Sequence, residues 1–282
     1  MYNQVKAAAI SLKPAKWDKA ANADKLEAFF VEAAREKPQV ILATEGVLEG
    51  YVVMDVIENP DQAAAMFDIA APVDGPCIRR FQRLARALKI CLAFGFAERV
   101  GRGVYNAAVF IDHKGEVRGK YHKTQLAEGA HSSWKFNKIG RQLRAFDTPL
   151  GRAGFVICND RWNPLIVRTL VLDGAQVIFI PSYGSRGKHQ NQAVLARARE
   201  NGVPIVEANV GMNLIVNKGE IAAYKWGVDQ ISTAIIDMPE WPSEAAARGS
   251  EREYLRQQGP EMKKRYEKTV SDLKKRRARK KP

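Results

Sequence analysis

The sequence predicts an α/β fold with mixed β-sheets, on three observations. Short apolar, strand-like runs alternate along the chain with helical stretches of 3.6-residue periodicity. Two of the strand runs, VYNAAVFID (104–112) and EVRGKYH (116–122), meet at the Gly-containing turn His113–Gly115 and form a hairpin, so the sheet is not purely parallel. At 282 residues with 46% hydrophobic content, the chain can build one large core. That content excludes a wholly disordered or collagen-like chain.

In chain order, VKAAAISL (5–12) reads as the first strand. Leu26, Phe29, Phe30, Ala33 and Ala34 mark a helix between Asp18 and Lys37, which Pro38 stops. QVILATE (39–45) is a short buried strand. Ile78, Phe81, Leu84, Ala85 and Leu88 give a second amphipathic helix, followed by the strand KICLAFGFAE (89–98) and then the hairpin. GRAGFVIC (151–158) is a strand, and LIVRTLVL (165–172) is apolar on all sides like a buried helix, with Gly174 at its C-terminal end. AQVIFIPS (175–182), a helix over roughly 190–200, VPIVEANV (203–210) and QISTAIIDM (230–238) continue the alternation. The expected division is a main domain over 1–240, a helical extension over 241–273, and a basic, disordered tail over 274–282.

Charge and cysteine use narrow the function classes. The net charge is +14, and residues 261–282, with eleven Lys/Arg against three Asp/Glu, supply +8 of it. That segment suits weak contact with nucleic acid or an anionic surface, but it has no group able to do chemistry. Cys77, Cys91 and Cys158 give neither a disulfide framework nor a C-x-x-C metal pattern, and the four histidines are scattered. No apolar run approaches the ~20 residues of a membrane span. The N-terminal residues lack the order of a secretion signal. A cytoplasmic protein is therefore expected.

Three polar residues close apolar strand runs: Glu45 after VILAT, Lys123 after GKYH, and Cys158 after GFVI. Strand ends in α/β folds face the crevice where ligands bind. A thiol there needs a base, and a carbonyl under attack needs a cation or N–H for its oxyanion. Glu45, Lys123 and the backbone N–H of Asn159 could serve in those roles.

The order and flanks of these residues resemble the nitrilase, or carbon–nitrogen hydrolase, superfamily. The resemblance runs from about Val5 to Met238, through ATEGVLEGY, LARALKICLAFGFAE, KYHKTQL, GRAGFVICND, DGAQVIFIPS and RARENGVPIVEANVG. It implies a four-layer α-β-β-α sandwich with two mixed sheets, usually paired as a homodimer or larger homo-oligomer, with no metal and no organic cofactor. It implies a Glu45–Lys123–Cys158 triad acting on a small non-peptide C–N bond through a thioester. Glu128, shortly after the lysine, matches the family's second glutamate.

Two departures bear on substrate. Many N-carbamoyl amino-acid hydrolases of this family read C-N-D-R-R-W-P-E, and this chain reads Cys158-Asn159-Asp160-Arg161-Trp162-Asn163-Pro164-Leu165. Arg161 alone either meets a substrate carboxylate or anchors the turn through local hydrogen bonds. Asn159-Asp160 is also unlike the Trp-Glu of true nitrilases. A linear amide is the expected substrate, with an N-carbamoyl amino acid as the alternative. Tyr51, Asn159, Arg161 and Tyr183 are the expected substrate contacts. A non-catalytic polyanion-binding protein is the competing reading of another class. A Cys–His hydrolase using His131 or His189 would need an imidazole beside Cys158.

Overall fold

A computed structural model describes residues 3–184, 187–240 and 247–279. The strands are β1 (Gln4–Ser11), β2 (Val40–Leu42), β3 (Cys91–Val100), β4 (Gly103–Ile111), β5 (Val117–His122), β6 (Phe146–Thr148), β7 (Gly151–Phe155), β8 (Val177–Ser182), β9 (Ile205–Asn209), β10 (Met212–Asn217), β11 (Glu220–Trp226) and β12 (Gln230–Asp237). The α-helices are α1 (Lys19–Ala34), α2 (Val53–Glu58), α3 (Ala63–Ile69), α4 (Pro76–Leu88), α5 (Pro164–Leu172), α6 (Lys188–Asn201) and α7 (Ala247–Arg279).

The strands form two six-stranded sheets, ordered β12-β1-β2-β3-β4-β5 and β11-β10-β9-β8-β7-β6. Each has three parallel strands at its centre, β1-β2-β3 and β7-β8-β9, with antiparallel strands outside them. Parallel strands buried on both faces explain the continuous apolar runs in the sequence.

Side-chain alternation builds the layers. On β1, Val5, Ala7 and Ala9 enter the core between the sheets, which also holds Phe155, Phe179, Val206 and Ile215. Ala8 and Ile10 face the other way, onto Leu26 and Phe30 of α1 and Ile78 and Phe81 of α4. Ile166, Leu170, Val194 and Ala198 from α5 and α6 cover the second sheet. This is the expected α-β-β-α sandwich.

Three sequence expectations change. The strand read over 39–45 ends at Leu42, which leaves Glu45 in the turn beyond it. The β10–β11 hairpin was not anticipated, although its turn at Lys218 (φ 49°) and Gly219 (φ 73°) is the left-handed pair that tight hairpins use. Residues 274–279, expected to be disordered, continue α7, while 280–282 lie outside the described residues. A buried face nearer the body explains the helix: Tyr254 and Met262 are each 1% exposed. Of the described residues, no helix is long and apolar enough to cross a membrane.

Candidate active site

Loops after β2, β5 and β7 carry the expected residues Glu45, Lys123 and Cys158. Glu45 follows β2 and is fully buried, as is Lys123 immediately after β5. Their side chains form an ion pair, with Lys123 Nζ 2.7 Å from Glu45 Oε1. The same oxygen accepts from Asn106 Nδ2 of β4, also at 2.7 Å. Glu45 Oε2 is buried and has no hydrogen-bond partner among the described residues. Gly95 on β3 permits this approach, because a Cβ there would lie 2.6 Å from Glu45 Cα.

Burial opposes the charge on Lys123, but Glu45, Cys158 and Glu128 outweigh it and hold the ammonium above its ordinary range. Tyr51 lies against this group, its ring centroid 5.9 Å from Lys123 Nζ. The Tyr51 hydroxyl donates to Glu128 Oε1, and Glu128 Oε2 is a second buried oxygen lacking a donor among the described residues. The Tyr51 ring stacks on Tyr183, with centroids 4.8 Å apart.

Cys158 opens a 3-10 turn, Cys158–Trp162, with a left-handed φ of 45°. That conformation costs about 1–3 kcal/mol in a non-glycine residue and needs support. Asp160 supplies it, accepting from Ile157 N (2.9 Å), Gln125 N (2.8 Å) and the Tyr121 hydroxyl (2.9 Å). Burial holds the Asp160 carboxyl up at about 6. The Cys158 thiol is also raised by burial, and by the Glu45 charge, to about 11, with Lys123 and Arg161 opposing. It is therefore protonated at neutral pH.

Arg161 corrects the expectation of a substrate contact. It is fully buried, and every guanidinium nitrogen is committed. Nε donates to the Cys158 carbonyl (2.5 Å), Nη2 to Ser182 Oγ (2.6 Å), and Nη1 pairs with Glu207 of β9. Arg161 anchors the turn, the second of its two sequence readings. Asn159 is likewise engaged: its Nδ2 donates to the Gln125 carbonyl (3.1 Å) and its Oδ1 accepts from Arg265 of α7 (3.4 Å). That leaves only its backbone for the role foreseen. His131 pairs with Ser133 and His189 stacks on Trp162, and neither hydrogen-bonds Cys158.

Sequence reasoning missed Asn106, Asp160 and Glu207. Glu207 carried a signal, since a lone charge inside the apolar run VPIVEANV must be paired if buried. Helix α7, read in the sequence as a helical extension over the body or a partner subunit, clamps the loop that follows Lys123. Tyr254 and Gln258 donate to the Thr124 hydroxyl (2.8 Å) and carbonyl (2.6 Å). At Gly129 a Cβ would come within 2.1 Å of the Tyr266 backbone nitrogen. Among the described residues, no three His, Cys, Asp or Glu side chains converge as a metal site.

Known proteins resemble this chain in sequence and in fold. A citrullinase of Francisella tularensis is 27% identical over 205 residues, 68% of this chain and 69% of that protein. An N-carbamoylputrescine amidase of Oryza sativa is 30% identical over 198 residues, 69% of this chain but only 62% of that relative's length. The solved amidase from Nesterenkonia sp. shares 20% identity and the fold, with a TM-score of 0.68 over 90% of this chain and 97% of that one. The carbon-nitrogen hydrolase family profile matches residues 6–242, and the chain belongs to that family.

Proposed function

We propose that this protein is a cysteine-dependent hydrolase of a small, non-peptide C–N bond in a linear amide or carbamoyl group. The reading rests on one observation. A buried carboxylate–ammonium pair interacts electrostatically with a protonated thiol, and two carboxylate oxygens beside the pair, Glu45 Oε2 and Glu128 Oε2, lack donors among the described residues. A buried acceptor without a donor costs about 1–3 kcal/mol, which a substrate N–H can recover. An amide or ureido NH2 offers two such hydrogens. A nitrile nitrogen offers none, so the arrangement favours an amide-type substrate.

In the reaction, Cys158 Sγ attacks the carbonyl carbon while its proton passes to Glu45 Oε2, the oxygen that neither Lys123 nor Asn106 occupies. Lys123 Nζ and the Asn159 backbone N–H stabilise the oxyanion. Glu45 returns the proton to the departing nitrogen, and ammonia or an amine leaves. Water, deprotonated by Glu45, then attacks the thioester and frees the thiol. Glu128, oriented by the Tyr51 hydroxyl, holds the substrate nitrogen. The relatives named citrullinase and N-carbamoylputrescine amidase favour a carbamoyl group as the bond cleaved. Arg161, fully buried with each guanidinium nitrogen bonded inside the protein, argues against an α-carboxylate held at that residue, and so against an N-carbamoyl amino acid bound there.

The test is ammonia release from a panel of amides, ureido compounds and nitriles, with intact-protein mass spectrometry. Amide or ureido turnover with an acyl or carbamoyl mass on Cys158, and none in Cys158→Ala, is expected. Turnover that survives Cys158→Ala, or activity confined to nitriles, overturns the reading.

A further inference from the structure

Next to Glu45 lies a carboxylate that the chemistry above leaves unused. Glu49 is buried, and its Oε2 accepts from the backbone N–H of Ala97 on β3 at 2.8 Å. Glu49, Tyr51, Asn106 and Asn137 line a small cavity with Val53 and Met66. Its volume of about 10 Å³ admits the centre of one water-sized sphere.

The polar atoms around this cavity are complementary and unsatisfied. Asn106 must turn its NH2 toward the Glu45 carboxylate, to which it donates at 2.7 Å, because the reverse orientation sets oxygen against oxygen. Its Oδ1 then faces away, buried and without a donor among the described residues. Asn137 Nδ2 is buried there without an acceptor, in a side chain 4% exposed. The segment carrying Asn137 is fixed against β4, with Lys138 N donating to the Val104 carbonyl at 2.8 Å.

We propose that Glu49, Asn106 and Asn137 enclose a single buried water molecule, and that through it Glu49 acts as a positioning residue for Glu45. The water accepts from Asn137 Nδ2 and donates to Asn106 Oδ1 and to the Glu49 carboxylate. Polarised in this way, the Asn106 amide holds Glu45 Oε1 in place while Oε2 stays open for the thiol proton. The inference rests on the proposed role of Glu45 as base.

Electrostatics adds a pH dependence. Burial pushes the Glu49 carboxyl up to about 7, with the Ala97 N–H opposing and the Glu45 charge adding. The other groups facing it are Lys19 of α1, whose charge lowers it, and the Tyr51 phenol, which is committed to Glu128. When Glu49 ionises it can only accept from the water, which fixes the water's orientation toward Asn106.

A high-resolution crystal structure and pH profiles of kcat/KM test the proposal on wild type, Glu49→Gln and Asn137→Ala, with Cys158→Ala as control. The expected map shows one water within hydrogen-bond distance of Glu49, Asn106 and Asn137. The wild-type profile shows an inflection near pH 7 that Glu49→Gln loses and Asn137→Ala weakens. A dry cavity overturns the proposal, as does a Glu49→Gln profile that is merely scaled down with its shape intact. Activity surviving in Cys158→Ala would sink the nucleophile assignment instead, and the electron density would still decide the water site.

Discussion

Two fully buried ion pairs flank Cys158, and they differ in how completely they are satisfied. In Arg161–Glu207, the arginine spends Nε on the Cys158 carbonyl and Nη2 on Ser182, while Glu207 also accepts from Ser182 Oγ (3.0 Å) and Gln190 Nε2 (2.6 Å). In Glu45–Lys123, one carboxylate oxygen takes both donors and the other takes none among the described residues. A pair whose nitrogens and carboxylate oxygens all have protein partners offers a ligand no unpartnered atom. An unsaturated pair has an atom free for substrate and proton transfer. The first pair therefore holds the turn, and the second carries the proposed chemistry.

Four experiments break or sharpen that contrast. Glu207→Ala leaves the Arg161 guanidinium buried without its counter-charge, and should cost about 3–5 kcal/mol of folding stability by denaturant titration. Replacing Arg161 and Glu207 together with apolar residues of similar size should recover much of that loss, because the desolvation penalty goes with the charges. Lys123→Ala should act mainly on kcat, raising the barrier by about 3 kcal/mol if its ammonium serves the oxyanion. Steady-state kinetics on protein shown to be folded checks this, and an unchanged kcat would move Lys123 out of the reaction.

The third experiment reads Glu49 through stability. Its folded-state pKa of about 7 lies above the ordinary 4.5, so the stabilising form is the protonated one. That contribution is fully present below pH 4.5 and is lost as the pH rises through 7. Glu49→Gln keeps a neutral group that can accept from Ala97 N. Its stability relative to wild type should rise with pH, by as much as about 3 kcal/mol once Glu49 is fully ionised. Thermal melts from about pH 5 to about pH 8 measure this, and parallel curves would refute it. The smallest effect is expected from removing residues 274–282, which lie beyond the contacts that Tyr254, Gln258 and Arg265 of α7 make with the site. Small-substrate kinetics should not change, while any polyanion binding should weaken and its salt dependence flatten.

The contrast between the pairs also marks how far the sequence could be read. Apolar periodicity located most strands and helices, and resemblance to a family singled out Glu45, Lys123, Cys158 and Glu128 as candidates. It could not distinguish the two uses of Arg161, because the deciding partner, Glu207, lies 46 residues away on another strand. Asn106 sits in the strand run VYNAAVFI, where nothing local separates it from an ordinary strand polar residue. The positive charge of the last 22 residues was evident, but the helical extension was read as ending at 273, whereas α7 runs to Arg279.

By itself the sequence determined the α/β alternation and the hairpin, because these follow from side-chain periodicity and turn chemistry within a few residues. Only the tertiary structure decided which buried charge is saturated and which is left open. That depends on where atoms from β2, β4, β5, β9 and the turn at Cys158 stop relative to one another. Hydrogen-bond satisfaction is set by distances of a few ångströms between residues far apart in the chain, and local patterns carry no record of those distances.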